Sequence, residues 1–339
     1  MIIIFNYNKG EEYDFPPTEK GCIITRYFFD MTRRCAVQKF NAKETGKDHK
    51  KAMSIVEKMK QKTTLSFEVF PPKTEVGMGK LKNVLDELYQ WNPDWISCTY
   101  GAGGSDKGYN LDICSAIGES GKTVPVTHYT CIHHSEADVE ADVEEYLSRG
   151  VNHMLALRGD FIAGENNTGG AFDHASGLIR FLREKFGDKM TIACTGIPES
   201  HILSPNFESD IAFLKRKQDL GADFIITQLT FDMDQFARWM DDIRAAGITL
   251  PVAVGVMPVL DRDKCIRHCL SMNGCAIPRS LARHISKYYD DPEGFREAGI
   301  DYTVEQMYEY VKLGVNDLHI YALNQSAAVN EILKRSGLF

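Results

Sequence analysis

Long apolar runs are missing from this 339-residue chain. Nowhere do 18 apolar residues follow one another, so no membrane-spanning helix is expected. The first residues, MIIIFNYNKGEEYDF, hold only a short apolar run with no basic start, which excludes a secretory signal of the usual form. There is no Walker loop, no G-x-G-x-x-G fingerprint and no nucleophile elbow of the serine-hydrolase type. No His/Cys pattern has zinc-site spacing. In CIRHCLSMNGC, Cys265 and Cys269 lie one helical turn apart and Cys275 follows at an unsuitable distance, so the stretch reads as a helix with two half-buried thiols. An excess of positive charge is also lacking. The net charge of −8 and pI of about 5.7 argue against nucleic acid as the main partner. The nine cysteines are odd in number and scattered through apolar segments, so they suggest reduced thiols in a cytoplasmic protein rather than a disulfide framework.

What remains is a composition of 43% hydrophobic and 25% charged residues, over a length that allows one large α/β barrel or two smaller domains. Residues 1–62 differ from the rest. From Arg33 to Lys62 there are ten Lys/Arg against three Asp/Glu, which reads as a solvated arm. Within it, KKAMSIVEKMKQ (50–61) has the pattern of a short amphipathic helix. The expected division is a partly helical N-terminal extension over 1–62 and a catalytic domain over 63–339.

From residue 64 a rhythm appears. Eight short runs rich in β-branched residues read as strands: TLSFEVF (64–70), WISCTYG (95–101), VPVTHYTC (124–131), HMLALRGD (153–160), MTIACTGI (190–197), FIITQLTFD (224–232), PVAVGVMPV (251–259) and DLHIYALN (317–324). Helical spacing recurs between them, as in Leu81, Val84, Leu85 and Leu88, and in Phe236, Trp239, Met240 and Ile243. Val139, Val143 and Tyr146 repeat behind a cap at Ser135. Eight strands alternating with helices predict a (β/α)8 barrel, with a doubly wound open sheet as the alternative. Residues 261–316 predict two or three extra helices between the last two strands.

A barrel carries its active site at the C-terminal strand ends. Polar residues collect there: Glu68, Thr99, His128, Thr130, Arg158, Asp160, Gln228 and Asn324. By alternation Glu68 shares a strand face with Ser66 and Phe70, Phe224 and Ile226 share one with Gln228, and Met154 and Ala156 share one with Arg158 and Asp160. Glu68 is a carboxylate among apolar residues, halted at once by Pro71 and Pro72. It is either a structural carboxylate paired with a neighbouring base or a group looking into the barrel mouth. With no metal or nucleophile signature, acid–base chemistry by Glu68 and Asp160 on a bound ligand is what remains.

The stretches LSFEVFPPKT, CTYGAGG, VTHYTC, LALRGD, LKRKQDLGADFIITQLTFD, GVMPV and IYALN, in this order and spacing, resemble the methylenetetrahydrofolate reductase family from about residue 64 to 337. The resemblance implies a (β/α)8 barrel with non-covalent FAD at its mouth. It implies reduction of 5,10-methylenetetrahydrofolate to 5-methyltetrahydrofolate, a step of one-carbon metabolism that serves methionine biosynthesis. Glu68 stands where the family has its general acid. Asp160 stands where a carboxylate lies beside the flavin and favours the cationic folate intermediate. Flavin contacts carry over to Thr99, Tyr100, Ala102, His128, Arg158, Gly159, Ala175, Ile197, His201, Asp210, Arg216 and Lys217, the last two as partners of the pyrophosphate. Gln228, Lys264 and Gln325 carry over to the substrate side.

This sequence departs from the family pattern at three places. Ile197 replaces a flavin-contacting Tyr of enterobacterial members, Gln325 replaces a folate-contacting Arg, and His268 stands where an aromatic stacks on the nicotinamide. The donor implied is NADH, with NADPH or an electron-donor partner protein as alternatives. A homo-oligomer is left open, and no metal, nucleic acid or membrane partner is implied. Two other functions compete: a pterin-binding barrel methyltransferase and a non-catalytic flavin- or folate-binding subunit. For the acid role, burial is expected to raise the Glu68 pKa toward neutrality, while Asp160 stays ionised.

Overall fold

The structure is a computed structural model, and it describes residues 53–100, 107–159, 169–271 and 275–339. Eight parallel strands close on themselves in chain order: β1 (Thr64–Val69), β2 (Trp95–Cys98), β3 (Val124–Thr130), β4 (His153–Leu157), β5 (Thr191–Gly196), β6 (Phe224–Thr227), β7 (Val252–Val256) and β8 (Asp317–Tyr321). β8 pairs with β1, Ser66 opposite His319 and Glu68 opposite Tyr321. This is the (β/α)8 barrel.

Each strand returns to the next through helix. In chain order the helices are α1 (Ile55–Met59), α2 (Glu75–Leu88), α3 (Lys107–Glu119), α4 (Glu136–Ser148), α5 (Ala175–Phe186), α6 (Phe207–Asp219) and α7 (Met233–Ala245). Then follow α8 (Arg262–Ser271), α9 (Arg279–Lys287), α10 (Pro292–Lys312) and α11 (Ser326–Ser336). The segment between β7 and β8 thus holds three helices, as its pattern predicts. Local signals set the helix starts. Ser135 and Asp138 form a reciprocal capping box at α4, and Asp291 accepts from the Gly294 N–H just ahead of Pro292 in α10.

The apolar residues divide by strand parity. One set, including Phe67, Ile96, Met154, Ala156, Ile192 and Val254, faces the helices and forms the large outer core. The other, Trp95, Val126, Leu155, Ala193, Phe224, Ile226 and Ala253, fills the barrel interior together with Ile55 and Met59 of α1. Phe224, Ile226 and Gln228 therefore keep the common face expected of them. On β4 the expectation needs correction. Met154 and Ala156 face the helices, so Arg158 does not reach the mouth by strand alternation. It lines the cleft from just beyond the strand, which ends at Leu157.

The compact unit begins at Met53. Ile55 and Met59 are 2% and 1% exposed and close the floor of the barrel. Ser54 and Glu57 cap α1 reciprocally. Lys58 and Lys62 both reach Asp94, at 3.0 and 3.2 Å, and Asn316 Nδ2 donates to the Met59 carbonyl at 2.9 Å. The remaining N-terminal residues, including Cys22 and Cys35, lie outside the described residues. The other seven cysteines are free and buried. Among the described residues no helix is long and apolar enough to cross a membrane, and no cluster of side chains could hold a metal ion.

Candidate active site

A cleft of about 520 Å³ opens at the C-terminal ends of β2 to β6. Thr99, Tyr100, His128, Thr130, Arg158, Gly159, Ala175, Ile197, His201, Asp210, Lys217 and Gln228, twelve residues singled out in the sequence, line it together. The helix α6 contributes along one stripe, Asp210, Phe213, Leu214 and Lys217, spaced three and four apart. Arg216 lies a third of a turn off that stripe and is exposed, so the structure does not bring it to the cleft. Lys264 and Gln325 are exposed too, and neither they nor His268 are among the lining residues. Asp160 and Ala102 lie outside the described residues. Asn324 plays a structural part. Its side chain accepts from the Phe70 N–H at 3.2 Å and donates to the Phe70 carbonyl at 2.9 Å, pinning the chain where β1 leaves the barrel.

Among the described residues, three buried polar atoms of cleft-lining side chains have no hydrogen-bond partner: His128 Nε2, Thr130 Oγ1 and Thr195 Oγ1. Buried polar atoms are nearly always paired, so a cluster of three marks a place for a polar ligand. Lys217 Nζ, on the same wall, donates to the Thr195 carbonyl at 2.8 Å. At the far side the N-cap of α5, His174, makes no side-chain cap bond, so the first-turn amides at Ala175 and Ser176 face the cleft uncapped by a side chain.

Glu68 is not itself among the lining residues; it stands behind His128, which is, with one-fifth of its side chain exposed. It points inward, as alternation with Ser66 requires, and among the described residues no Lys or Arg pairs with it. Its neighbours are imidazoles: His128 Nε2 lies 3.4 Å and His319 Nε2 3.7 Å from Oε2. Burial pushes the Glu68 carboxyl up, but the neighbouring imidazoles of His319 and His128 outweigh it, and the net direction is down. The expectation that burial alone governs this carboxyl is therefore corrected. His128 is itself held below the ordinary histidine value by burial, against the pull of Glu68, so near neutral pH it is uncharged and its share in holding Glu68 ionised lapses. His319 is then the partner that matters.

His319 was not singled out by the sequence reading, although a signal exists. Ser66 and Glu68 on β1, and Asp317 and His319 on β8, are polar residues two apart in runs otherwise apolar, and β1 and β8 are neighbours once the barrel closes. The His319 ring is fully buried, stacked on Trp95 at 4.4 Å between centroids, with Nδ1 2.7 Å from Ser66 Oγ and Nε2 3.3 Å from Ser97 Oγ.

A (β/α)8 barrel with a polar cleft at its strand ends and a carboxyl–imidazole pair beneath it holds the groups that acid–base chemistry needs. Comparison with known proteins narrows this. Residues 51–337 match the family model for methylenetetrahydrofolate reductase, and the chain belongs to that family. It is 36% identical over 282 residues to methylenetetrahydrofolate reductase 1 of Schizosaccharomyces pombe, covering 82% of this chain and 47% of that protein. It is 30% identical over 262 residues to the 5,10-methylenetetrahydrofolate reductase of Escherichia coli, covering 77% of this chain and 86% of that one. The chain spans about half the length of several curated relatives it matches, the fission yeast protein among them. In fold it resembles a Clostridium thermocellum protein described as binding two copies of 5-methyl-5,6,7,8-tetrahydrofolic acid. The TM-score is 0.59 at 12% identity, covering 83% of this chain and 98% of that one.

Proposed function

We propose that this chain reduces 5,10-methylenetetrahydrofolate to 5-methyltetrahydrofolate, with FAD bound in the cleft and a reduced pyridine nucleotide as donor. The observation that carries the reading is the position of Glu68, an inward carboxyl whose ionic neighbours among the described residues are imidazoles, next to cleft-lining His128 in a chain of this family. NADH is the favoured donor. Relatives named for NADH (Arabidopsis thaliana, 33% identical) and for NADPH (Caenorhabditis elegans, 27% identical) both support a pyridine nucleotide.

The residues present fit FAD. The unpartnered His128 Nε2, Thr130 Oγ1 and Thr195 Oγ1 suit the heteroatoms of a flavin ring, and the α5 amides with Lys217 suit the pyrophosphate. When bound, FAD supplies a two-electron carrier that takes hydride from the donor and yields it to folate. What the protein itself supplies is the proton. The five-membered ring of the substrate must open before hydride can be accepted, and protonation of its aryl-amine nitrogen lets that bond break. Glu68 donates that proton, and the ring opens to an iminium cation. Gln228, on the cleft wall beyond β6, holds the pterin. Asp160 favours the cation by its charge.

The test is spectroscopic. The purified chain should show flavin absorbance near ~450 nm, released on denaturation and bleached anaerobically by NADH faster than by NADPH or a ferredoxin-type donor. Methylenetetrahydrofolate should then restore the colour. A colourless protein that cannot be reconstituted with FAD, or a reduced flavin that methylenetetrahydrofolate leaves reduced, would overturn the reading.

A further inference from the structure

Beneath Glu68 runs a chain of side chains that the reaction as proposed does not use. Asp317 is fully buried, and its two oxygens are occupied differently. Oδ2 accepts from Thr64 Oγ1 and from Trp95 Nε1, at 2.5 and 3.2 Å, while Oδ1 accepts from Ser66 Oγ at 2.5 Å. A carboxylate only accepts, so the single hydroxyl proton of Ser66 goes to Asp317. The Ser66 oxygen is left as an acceptor for His319 Nδ1 at 2.7 Å, and Nδ1 therefore carries a proton. This leaves Nε2 as the nitrogen that gains or loses one. It is the nitrogen that faces Glu68 Oε2 at 3.7 Å. Ser97 Oγ, 3.3 Å from the same atom, is a rotatable hydroxyl that donates when Nε2 is bare and accepts when it is protonated.

We infer that Glu68 and His319 hold one proton between them, and that Asp317, acting through Ser66, fixes the line on which it moves. The inference rests on the proposed reductase reading and deepens it: His319 is a positioning and proton-holding residue for the general acid. The transfer runs from Nε2–H to Oε2 and exchanges a charge-separated pair for a neutral one, with no change in electrons. In the open site water stabilises the charged arrangement, in agreement with the downward direction of the Glu68 carboxyl. A substrate covering the cleft expels that water and favours the neutral arrangement, which puts the proton on Oε2 where the substrate nitrogen needs it. The proton consumed in each turnover comes from solvent.

Several other titratable groups face the pair. His128 approaches from β3 and is uncharged from neutral pH upward. Tyr321 from β8 is pushed well up by burial and by Glu68, and Cys98 of β2, on the outer side toward Cys114, is pushed well up by burial and by Cys114, so neither ionises in the working range. Asp317 lies below, raised by burial yet still supplied with three donors. The alkaline limb of the proton-dependent step is therefore loss of the proton that Glu68 donates.

The sharpest perturbation is Asp317→Asn. The amide oxygen is drawn to the side with two donors, Thr64 and Trp95, so its NH2 faces Ser66. The Ser66 hydroxyl then reverses and donates to Nδ1, and a neutral His319 must carry its proton on Nε2, where it holds Glu68 as a carboxylate. Flavin reoxidation by methylenetetrahydrofolate should slow ~10- to 100-fold, the range typical of losing an orienting partner behind a functional group. Its alkaline limb should move to lower pH, while flavin reduction by NADH stays near the parent rate. Ser66→Ala should act in the same direction. It removes a single hydroxyl, so it keeps the test alive should Asp317→Asn fail to fold. A separate readout needs no turnover: 15N shifts of histidine in the flavin-loaded protein above the alkaline limb should show His319 protonated at Nδ1, and at Nε2 in Asp317→Asn.

Equal slowing of both half-reactions, an unmoved alkaline limb in both folded variants, or an Nε2–H tautomer in the parent would each overturn the inference. A parent protein that cannot oxidise its flavin with methylenetetrahydrofolate would instead overturn the reductase reading, and the nitrogen shifts would still decide the tautomer.

Discussion

Replacing Met59 by alanine removes the larger part of the plug that α1 sets into the floor of the barrel. The Met59 side chain is 1% exposed, in the interior cluster with Ile55, Trp95, Leu155 and Phe224. Truncating a buried methionine costs the transfer of its removed atoms plus the cavity left behind, together about 2–5 kcal/mol. Eight strands closed by hydrogen bonds cannot easily collapse into the gap, so the upper half of that range, about 3–5 kcal/mol, is expected. Against a typical total stability of about 5–15 kcal/mol the loss is large. Urea titration without added ligand is the assay, with Lys60→Ala as the exposed control, expected within about 0.5 kcal/mol of the parent. A lower midpoint with unchanged slope marks lost stability rather than an altered unfolded state. If Met59→Ala and Lys60→Ala unfold together, α1 is not seated in the barrel.

Three further outcomes follow from other parts of the molecule. Lys217→Ala should weaken FAD retention ~10- to 100-fold, as expected for a lost charged hydrogen bond of about 1.5–3 kcal/mol, whereas Arg216→Ala should leave it unchanged; equilibrium dialysis with FAD measures both. His153 is buried with an unpaired Nδ1, and burial pulls its pKa down to about 4. The unfolded chain takes up this proton near pH 6.5 and the folded chain only near 4, so stability is lost as pH falls across that window, by about 3 kcal/mol. His153→Leu should flatten that part of the acid dependence, read from urea midpoints at neutral and acid pH; an equally steep fall in the variant would rule His153 out as its source.

The strands were legible because a closed barrel buries each of them on both faces, which leaves runs of β-branched and apolar residues of the right length. Their C-terminal ends were read too long, for a physical reason. Thr99, Tyr100 and Arg158 continue such runs past Cys98 and Leu157, where the strands end, and line the cleft, although the Thr99 N–H still bonds to Val69 and the Arg158 carbonyl to Ile132. Glu68 was legible as a charge that a strand interior does not tolerate without a use. Its pKa direction was not, since the imidazoles that set it come from β3 and β8, far away in the chain. Arg216 and Lys217 are adjacent cations, and only the placement of α6 separates the one facing solvent from the one facing the cleft. The plug was hidden by composition. A run of lysines suggests an arm, while Ile55 and Met59, one turn apart on its apolar side, carry the packing.

The central claim is that Glu68 supplies the proton that opens the folate ring, and Glu68→Gln tests it most directly because the amide keeps the shape and removes the acid. The two half-reactions are followed separately by stopped-flow on the flavin absorbance. Reduction by NADH needs no proton from Glu68 and should stay near the parent rate. Reoxidation by methylenetetrahydrofolate should fall by at least ~100-fold, within the ~10²–10⁴-fold typical of general acid catalysis. Folate should still bind, held at Gln228. Equal slowing of both half-reactions, or folate reduction at near the parent rate, would show that Glu68 is a structural carboxylate.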